Sequence, residues 1–375
     1  MKDIFKLSHL RSTHKSDMPI VREGMQILFL IITLFLGIKF YLFVAQLSSG
    51  AVVTLERPPG VEVFLPLSAL MSLKYFLFTG IINNVHPSAL IIFLIICATA
   101  LLVKKGFCSW ICPFGLLSDY LTKIHMLLFK REMNLPKWLD FPLRGIKYAI
   151  AGFFLWSIFF KMPIEAVDQF IKSPYNTFAD IKMLEFFTGI SFTSFITITT
   201  LLILSILVKN FWCRYLCPYG AILGVIALFS MGKIKRNEKS CIGCGKCEKI
   251  CPGKISIMEK VAINSLECSA CLRCVDVCPA ENAIGFLFFP GKTPINQRGI
   301  ALVLIALFTL GITGARVSGH WQNGVSLHAY QQHVLQSQMT SQKPNRIPAN
   351  MDPEKMKQML ERMQDSKSRK NMTNQ

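Results

Sequence analysis

Eight of the 13 cysteines lie in two runs that share the spacing Cys-x2-Cys-x2-Cys-x3-Cys-Pro: Cys241, Cys244, Cys247 and Cys251, followed by Cys268, Cys271, Cys274 and Cys278. Thiolates at this spacing hold two iron–sulfur clusters, and the fourth cysteine of each run ligates the cluster of the other run. A tight loop presents three thiolates to one cube, while the fourth cysteine, followed by Pro, has already left the loop.

This crossing predicts two [4Fe-4S] ligand sets. The first cluster is assigned to Cys241, Cys244, Cys247 and Cys278, and the second to Cys268, Cys271, Cys274 and Cys251. Paired Cys-x2-Cys units also occur in zinc sites, but structural zinc does not need a third cysteine and a Cys-Pro in duplicate. A disulfide framework is disfavoured because the cysteines are clustered.

A second cysteine pattern occurs twice upstream, and it belongs to a longer duplication. Residues 101–120 read LLVKKGFCSWICPFGLLSDY, and residues 206–225 read ILVKNFWCRYLCPYGAILGV. Both contain Cys-x3-Cys-Pro, and each is preceded by an apolar segment and, further upstream, by a similar piece ending in Thr-Gly. The repeat unit is therefore predicted to be a short outer helix, a spanning helix and a Cys-x3-Cys-Pro unit at the inner surface.

The four cysteines of these units are candidate site residues: Cys108, Cys112, Cys213 and Cys217. A spacing of four places both sulfurs of a unit on one face of a helix, and the prolines favour a break at which a new helix begins. If the units face each other, the four thiolates form either a third metal or cluster site or a redox-active dithiol. The alternative is four packed, reduced cysteines, since buried free Cys is common in protein cores.

The composition is that of a membrane protein. Of the 375 residues, 52% are hydrophobic and 17% charged, and the mean hydropathy is +0.42, whereas soluble domains have about 25% charged residues. A helix needs ~20 residues to cross the hydrocarbon of a membrane. Five apolar stretches are near this length: 25–45, 87–103, 146–162, 190–208 and 299–315.

The net charge of +19 is explained by membrane topology. Residues 1–24, 104–147 and 209–298 hold five, eight and 13 Lys or Arg, whereas 46–88 and 161–190 hold two and three. Because Lys and Arg concentrate in cytoplasmic loops, the N-terminus and the cluster-binding part are predicted to be cytoplasmic. The charge therefore does not indicate nucleic-acid binding.

These features predict an α-helical polytopic membrane protein with an internal repeat and a small α+β ferredoxin domain of the bacterial two-cluster type. The expected divisions are a cytoplasmic segment (1–24), a duplicated four-helix membrane domain (25–230), the two-cluster domain (231–290), a fifth transmembrane helix (299–315) and a polar tail (318–375). The expected location is a bacterial inner membrane, with the tail in the periplasm.

The chain resembles a known family in the segments LLVKKGFCSWICP, LPKWLDFPLRGIKY, WCRYLCPYGA and CIGCGKCEKICP. It is similar to the NapH/NosR/CcoG-type membrane-bound 4Fe-4S ferredoxins, and most of all to the YccM-like group, over about residues 20–320. The resemblance implies electron transfer coupled to the quinone pool.

Bound clusters would carry electrons singly, at a potential tuned by nearby charge. Lys246, Lys249 and Arg273 lie beside the ligands and would favour the reduced form, or they form a solvated basic face. Without a Cys-x2-Cys-His haem motif or a dinucleotide-binding motif, two routes for electrons remain: a quinone, or an unidentified redox partner protein.

Polar residues of the predicted membrane region could handle quinol protons: Lys39, His86, Glu165, Asp168 and Asp180. Lys39 is a functional candidate as an intramembrane charge, but it can also snorkel; the others can be ordinary solvated loop groups. The tail contains side chains of the types that bind copper: His320, His328, His333, Met339, Met351, Met356, Met359 and Met363. Its residues 353–365 also have the pattern of a charged helix, which would suit docking to a partner.

Three functions are therefore open. The first is a membrane-bound electron carrier that exchanges electrons between quinone and a partner reductase. The second is a copper or iron reductase that uses the Cys-x3-Cys-Pro cysteines, and the third is a redox-sensing or assembly protein. Replacement of those cysteines separates the first from the second.

Overall fold

The computed structural model describes residues 18–49, 53–130, 136–288, 291 and 294–341. It divides into two units. Of the described residues, those at 18–45 and between 53 and 325 belong to one unit, and those at 46–49 and 326–341 belong to the other. The predicted charged helix at 353–365 and four of the tail methionines lie outside the described residues.

The first half of the described chain is helical. Its helices are α1 (Met18–Ser49), α2 (Pro66–Thr79), α3 (Pro87–Val103), α4 (Gly106–Trp110), α5 (Pro113–Phe129), α6 (Lys137–Trp156), α7 (Ile164–Lys172) and α8 (Pro174–Thr177). A 3-10 turn at Pro59–Phe64 precedes α2, and a π-helical turn at Ser157–Lys161 extends α6.

The second half adds helices and a small sheet. Its elements are α9 (Ala179–Thr188), α10 (Phe192–Leu207), α11 (Pro218–Ile226), β1 (Gly232–Arg236), α12 (Lys246–Ile250), α13 (Arg273–Asp276), β2 (Ile284–Phe288), α14 (Gln297–Val317) and α15 (Leu327–Ser341). The second unit contributes α15, in which Tyr330 and Val334 are buried.

Within the described residues, three helices are long and apolar enough to cross a membrane: Ile20–Ser49, Trp138–Lys161 and Gln297–Val317. The pair α9 and α10, bent by 79°, raises the number to four if it forms one broken span. The second predicted span coincides with α3, whose 17 residues place it among the shorter apolar helices. The structure thus has three or four candidate spans, and the number five stays a prediction.

The prolines of the two Cys-x3-Cys-Pro units begin new helices, as expected. Pro113 is the first residue of α5, and Pro218 is the first residue of α11. A short helix, α4, precedes the first break, and a π-helical turn at Trp212–Leu216 precedes the second. Proline is suited to the first helical position because its missing N–H is not needed there.

Helix α5 is amphipathic, but its apolar side divides into two faces. Leu116 and Leu121 are buried against the rest of the protein, as are the polar Ser118 and His125. Seven other apolar residues of the helix are exposed: Phe114, Leu117, Tyr120, Ile124, Leu127, Leu128 and Phe129. Leu116 is thus covered by the protein, whereas Tyr120, Ile124 and Leu128 of the same helix are not.

A two-stranded antiparallel sheet closes the cysteine-rich part. β1 and β2 pair from Gly232 with Phe288 to Arg236 with Ile284. Gly232 has no room for a side chain, because an added Cβ would collide with the Phe286 ring and lie 2.5 Å from the Leu102 carbonyl oxygen. The sheet thereby lies directly against the end of α3.

One hydrophobic core joins the cysteine-rich part to the apolar helices. It contains residues from α1, α3, α4, the sheet region and α14, including Val103, Trp110, Phe286 and Leu304. The cysteine-rich part is therefore packed onto these helices as part of the first unit.

A candidate iron–sulfur electron-transfer site

The structure brings cysteines of both runs together around one cavity. The four are Cys251, Cys268, Cys271 and Cys274. Four isoleucines complete much of the wall: Ile234, Ile255, Ile257 and Ile263. Four thiols in an apolar enclosure are the donor set that a [4Fe-4S] cluster requires, so the residues present fit this group.

A second cavity is lined by the other four cysteines of the runs: Cys241, Cys244, Cys247 and Cys278. Here the cysteine from the opposite run is Cys278. This cavity is nearer to solvent, since Cys244 is exposed, whereas Cys268 and Cys274 of the first cavity are buried. The membership of both cavities coincides with the two ligand sets expected from the spacing.

The two loops share an unusual backbone. Gly243 and Gly245 have positive φ angles of 69° and 67°, and the equivalent residues of the second run, Ala270 and Leu272, have φ of 48° and 57°. The left-handed conformation costs little for glycine but is unfavourable for other residues. The second loop therefore holds a strained backbone, and both of these residues are buried in the core.

This backbone directs amides at sulfur. The amide of Gly243 and the side chain of Arg236 lower the pKa of the Cys241 thiol. For Cys268, burial raises the pKa to about 11, although the Ala270 amide and the charge of Lys104 oppose it. Hydrogen bonds to sulfur are one of the means by which a protein tunes a bound cluster.

Glu267, next to Cys268, is the centre of a buried charge cluster that sequence reasoning missed. Its carboxylate accepts hydrogen bonds from Lys147 Nζ at 2.7 and 2.8 Å, from Tyr148 OH at 3.0 Å and from Lys105 Nζ at 3.4 Å. Burial alone would raise the pKa of Glu267, but the two lysines and these hydrogen bonds lower it to about 2. The carboxylate is therefore charged beside the first-described cavity.

The first Cys-x3-Cys-Pro unit makes direct contact with the second cysteine loop. Ser109 Oγ donates to the carbonyl of Ser269 at 2.6 Å, and Trp110 Nε1 donates to the carbonyl of Ala270 at 3.1 Å. Trp110 is fully buried. The residues between Cys108 and Cys112 are thus hydrogen-bonded to the residues between Cys268 and Cys271.

The second unit is held by Asp140 of α6. Asp140 accepts hydrogen bonds from Arg214 at 2.8 Å and from Arg144 at 2.6 Å, and it bonds the hydroxyl of Tyr215. Arg214 and Tyr215 lie between the two cysteines of the unit and are buried. Asp140 and Arg144 lie in the family segment LPKWLDFPLRGIKY, but the pairing of Asp140 with Arg214 is visible only in the folded chain.

The four cysteines of the two units are affected by burial and by one another. Burial first, and then the neighbouring thiols, raise the pKa of Cys108, Cys112 and Cys213, and in each case the neighbours include a cysteine of the other unit. Burial likewise raises the pKa of Cys217, while the amides of Tyr219 and Gly220 lower it. The two units, about 100 residues apart in sequence, are therefore within electrostatic range of each other.

The basic residues beside the ligands divide into two kinds. Lys246 and Lys249 are exposed, whereas Arg273 is half-buried and lies 2.7 Å from Asp119 of α5. Asp119 also pairs with Arg22 of α1 at 3.5 Å. The charge of Arg273 is therefore compensated, which the sequence did not reveal.

The polar residues that were candidates for handling quinol protons also differ in burial. His86 and Asp180 are fully buried in a network with Arg57 and Glu62, in which Arg57 lies 2.7 Å from Asp180 and 2.8 Å from Glu62, and His86 Nδ1 lies 3.1 Å from Glu62. Burial opposes ionisation of Glu62, but Arg57 and His86 lower its pKa overall. This network links Pro59–Phe64 to the starts of α3 and α9.

Other candidates are not part of a shared site in the described structure. Glu165 is exposed, Asp168 forms an exposed ion pair with Lys172, and Lys39 is half-buried in α1. His328 and His333 lie in α15. Across the described ranges, no three His, Cys, Asp or Glu side chains are close enough to hold a single metal ion, and this includes the cysteines of both runs.

Comparison with known families agrees with the cysteine geometry. The model of a "4Fe-4S dicluster domain" matches residues 233–279, and that of a "4Fe-4S binding domain" matches both 85–136 and 190–237. YccM of Escherichia coli (strain K12), which carries the name of an electron transport protein, is 39% identical over 326 residues, covering 85% of this chain and 90% of YccM.

The chain belongs to the NapH/NosR-type family of 4Fe-4S electron transport proteins. More distant members cover less of it. The ferredoxin-type protein NapH of Haemophilus influenzae is 26% identical over 41% of this chain and 49% of NapH. The regulatory protein NosR of Stutzerimonas stutzeri is 28% identical over 41% of this chain and 21% of NosR. No solved structure matches the chain.

Family membership confirms the resemblance and the general chemistry. The protein is an iron–sulfur electron transport protein of this family, mostly helical, and its apolar helices together with its NapH-type relatives indicate a membrane protein. The number of clusters, their ligands and their redox partners are matters for proposal.

Proposed function

We propose that this NapH/NosR-type protein carries electrons between the quinone pool and a partner reductase through two [4Fe-4S] clusters. The ligand sets are the two predicted ones, with Cys251 and Cys278 crossing between the runs. The observation that carries the proposal is the composition of the two cavities, each lined by three cysteines of one run and one of the other. A bound cluster would accept and donate one electron at a time.

The two cavities differ in exposure, and this supports different exchange partners. Cys244 and the neighbouring Ile242 are exposed, so a partner protein could approach the Cys241 set closely. Cys268 and Cys274 are buried in the core shared with the apolar helices. This set would exchange electrons on the membrane side.

Exchange with a quinone is supported by the surface of α5. The helix carries Asp119, which holds Arg273 of the second cysteine loop, and it exposes apolar side chains including Leu117, Tyr120 and Ile124. An amphipathic helix of this kind suits the membrane interface. It would place the second cluster loop beside the region that a quinone can reach.

For the membrane topology and the domain boundaries we propose the arrangement that the sequence predicts. The Lys and Arg distribution supports a cytoplasmic N-terminus and cytoplasmic ferredoxin domain (231–290), a multi-pass inner-membrane location and a periplasmic tail. The two matches of one family model, at 85–136 and 190–237, support the duplication. The division into 25–230, 299–315 and 318–375 follows from these features.

The test is anaerobic electron exchange with the full-length protein in detergent. We expect dithionite to produce the EPR signals of reduced clusters, a menaquinone analogue to oxidise them rapidly, and the quinol to reduce them in reverse. A Cys278→Ser variant, which removes one crossing thiol, should lose the signal of one cluster. Intact clusters that exchange no electrons with the analogue would overturn the quinone assignment and favour metal-ion reduction instead.

A further inference from the structure

The first Cys-x3-Cys-Pro unit holds the second cysteine loop (residues 268–274) through two side chains of α4. Ser109 Oγ donates to the carbonyl oxygen of Ser269 at 2.6 Å, and Trp110 Nε1 donates to that of Ala270 at 3.1 Å. Ser109 is 8% exposed, and Trp110 is fully buried. Two successive peptide groups of the loop are therefore fixed from the same helix, within the protein interior.

The direction of these carbonyls determines where the loop amides point. In a trans peptide group the C=O and N–H bonds lie on opposite sides, and the carbonyl of Ser269 belongs to the same group as the N–H of Ala270. A Ser269 carbonyl directed at α4 therefore turns the Ala270 N–H away from α4. In agreement with this geometry, the Ala270 amide donates a hydrogen bond to the sulfur of Cys268, which lines the cavity assigned to the second cluster.

Ala270 holds this arrangement in a backbone conformation that does not suit alanine. Its φ is 48°, whereas the equivalent residue of the first loop, Gly243, has a φ of 69°. A positive φ costs glycine little but is unfavourable for alanine, and such a conformation persists only where the surroundings constrain it. Ala270 is fully buried, and Gly243 is exposed. The first loop thus relies on glycine for the direction of its amide, whereas the second relies on its contacts with α4.

Helix α4 is itself anchored, so it can act as a rigid support. Gln26 of α1, which is 2% exposed, donates from Nε2 to the carbonyl oxygen of Ser109 at 3.0 Å. Nearer the other end of the loop, Arg273 lies 2.7 Å from Asp119 of α5. The loop is thereby bound at two places to helices of the apolar part, and residues that tune a bound group act best from such rigid elements.

The second Cys-x3-Cys-Pro unit provides an internal comparison. In the alignment of the two units, Arg214 takes the place of Ser109. Tyr215 takes the place of Trp110. Both residues of the second unit donate instead to Asp140 of α6. The contact with the cysteine loop therefore belongs to the first unit, and a substitution at Tyr215 removes a comparable buried hydrogen bond at the equivalent position of the repeat.

We propose that Ser109 and Trp110 are positioning residues for the second cluster: they fix the two peptide groups of Ala270, hold its amide on the sulfur of a cluster ligand and thereby raise the reduction potential of the cluster. An N–H group directed at sulfur stabilises the negative charge that an added electron brings, and hydrogen bonds of this kind are one of the means by which a protein sets a cluster potential. This inference rests on the proposed function, since it needs a cluster at this loop.

The test is an EPR-monitored redox titration of the full-length protein with both clusters reconstituted. Ser109→Ala removes the hydroxyl donor and introduces a residue that favours helix, and Trp110→Phe removes the indole N–H while keeping an aromatic ring. In each variant we expect the ratio of reduced to oxidised second cluster at a fixed potential to fall about fivefold, which is the effect of one net hydrogen bond. The ratio for the first cluster should not change. Cys244→Ser, which removes a ligand of the first cluster, assigns the two signals.

Tyr215→Phe is the matched control, because it removes the hydrogen bond to Asp140 at the equivalent position of the second unit. It should leave the potentials of both clusters unchanged even if it lowers stability. As a second measurement, hydrogen exchange should become faster in residues 268–274 of Ser109→Ala and stay the same in residues 241–247. This readout does not depend on electron transfer.

The proposal is overturned if both variants retain the second cluster at an unchanged or higher potential, or if Tyr215→Phe shifts that potential equally. A loss of thermal stability without a shift in potential would show that the two side chains have a structural role alone. The proposed function fails in a different way. Intact clusters that exchange no electrons with the menaquinone analogue would overturn the quinone assignment and leave the shift in potential measurable, whereas a wild-type protein that binds no second cluster would overturn both.

Discussion

The carboxylate of Glu267, which is largely shielded from solvent, offers a sharp test of the charge cluster beside the second cysteine loop. It holds Lys147 at 2.7 Å and Lys105 at 3.4 Å, with Tyr148 at 3.0 Å. Its side chain is 14% exposed, and that of Lys147 is 0% exposed. We expect Glu267→Gln to destabilise the protein strongly, because the substitution leaves two buried lysines without their counter-charge.

The magnitude follows from the pKa of Glu267, which is lowered from 4.5 to about 2. One pKa unit corresponds to about 1.36 kcal/mol, so the charged form contributes about 3 kcal/mol to the free energy of unfolding. Because the pKa is lower in the folded state, this contribution is complete above pH 4.5 and is lost as the pH falls toward 2. The loss of unfolding free energy caused by Glu267→Gln should therefore be the same at about pH 6 and about pH 8.

The assay is thermal unfolding of the reconstituted protein in detergent at a fixed scan rate. One kcal/mol shifts the Tm of a chain of 150–250 residues by roughly 2–4 °C, and the shift decreases as chain length increases. For a loss of about 3 kcal/mol in this chain of 375 residues we expect a fall of about 5 °C. Glu185→Gln is the matched control, since Glu185 pairs with Lys182 on the surface, with side-chain exposures of 46% and 51%. Such exposed pairs contribute about 0.2–1 kcal/mol.

The reasoning fails if Glu267→Gln melts within about 1 °C of the wild type, or if the two glutamate substitutions have the same effect. A deficit that disappears between about pH 8 and about pH 6 would also contradict it, because Glu267 does not titrate in that range.

Three further perturbations follow from the contacts. Glu62→Gln should cost about 3–5 kcal/mol, as expected when one partner is removed from a buried charge network, measured as lowered thermal stability. Gly115→Ala should destabilise the protein by at least about 1–3 kcal/mol through overpacking, whereas Gly220→Ala should be tolerated, which yields of folded protein will show. Asp119→Asn should leave Arg273 uncompensated and raise the reduction potential of the second-loop cluster in an EPR redox titration.

Each of these three predictions has either a control variant or an outcome that would contradict it. Glu165→Gln, an exposed carboxylate on α7, should leave stability unchanged where Glu62→Gln lowers it. Equal yields of the two glycine variants would contradict the close approach of Gly115 to the Cys108 carbonyl. An unchanged or lowered potential in Asp119→Asn, with Asp168→Asn as the surface control, would show that Arg273 does not act on the cluster.

Local sequence patterns predicted much of the candidate site. The cysteine spacing anticipated which residues line each cavity, and Cys-Pro anticipated the starts of α5 and α11, because these features depend on residues close together in the chain. The second loop shows the limit of such patterns. Its positive φ angles fall on Ala270 and Leu272, which no turn preference would select.

Composition was sufficient to predict apolar helices but not their number or packing. An apolar helix of 17 residues such as α3 can be a short span or a buried core helix. The contrast between Leu116 and the exposed Tyr120 on α5 depends on which neighbours cover the helix. The periodicity of a helix shows that it has a face, whereas the identity of the covering surface is a tertiary property.

By itself, the sequence determined the chemistry: cysteines at cluster spacing, the duplicated Cys-x3-Cys-Pro units and the family to which the chain belongs. Only the tertiary structure decided how charge is arranged around these thiols. Glu267 meets Lys105 and Lys147 across separations of 162 and 120 residues, and Asp119 meets Arg273 across the chain. The physical reason is that thiol spacing is set by a few local bonds, whereas the pairing of buried charges depends on which distant segments folding brings together.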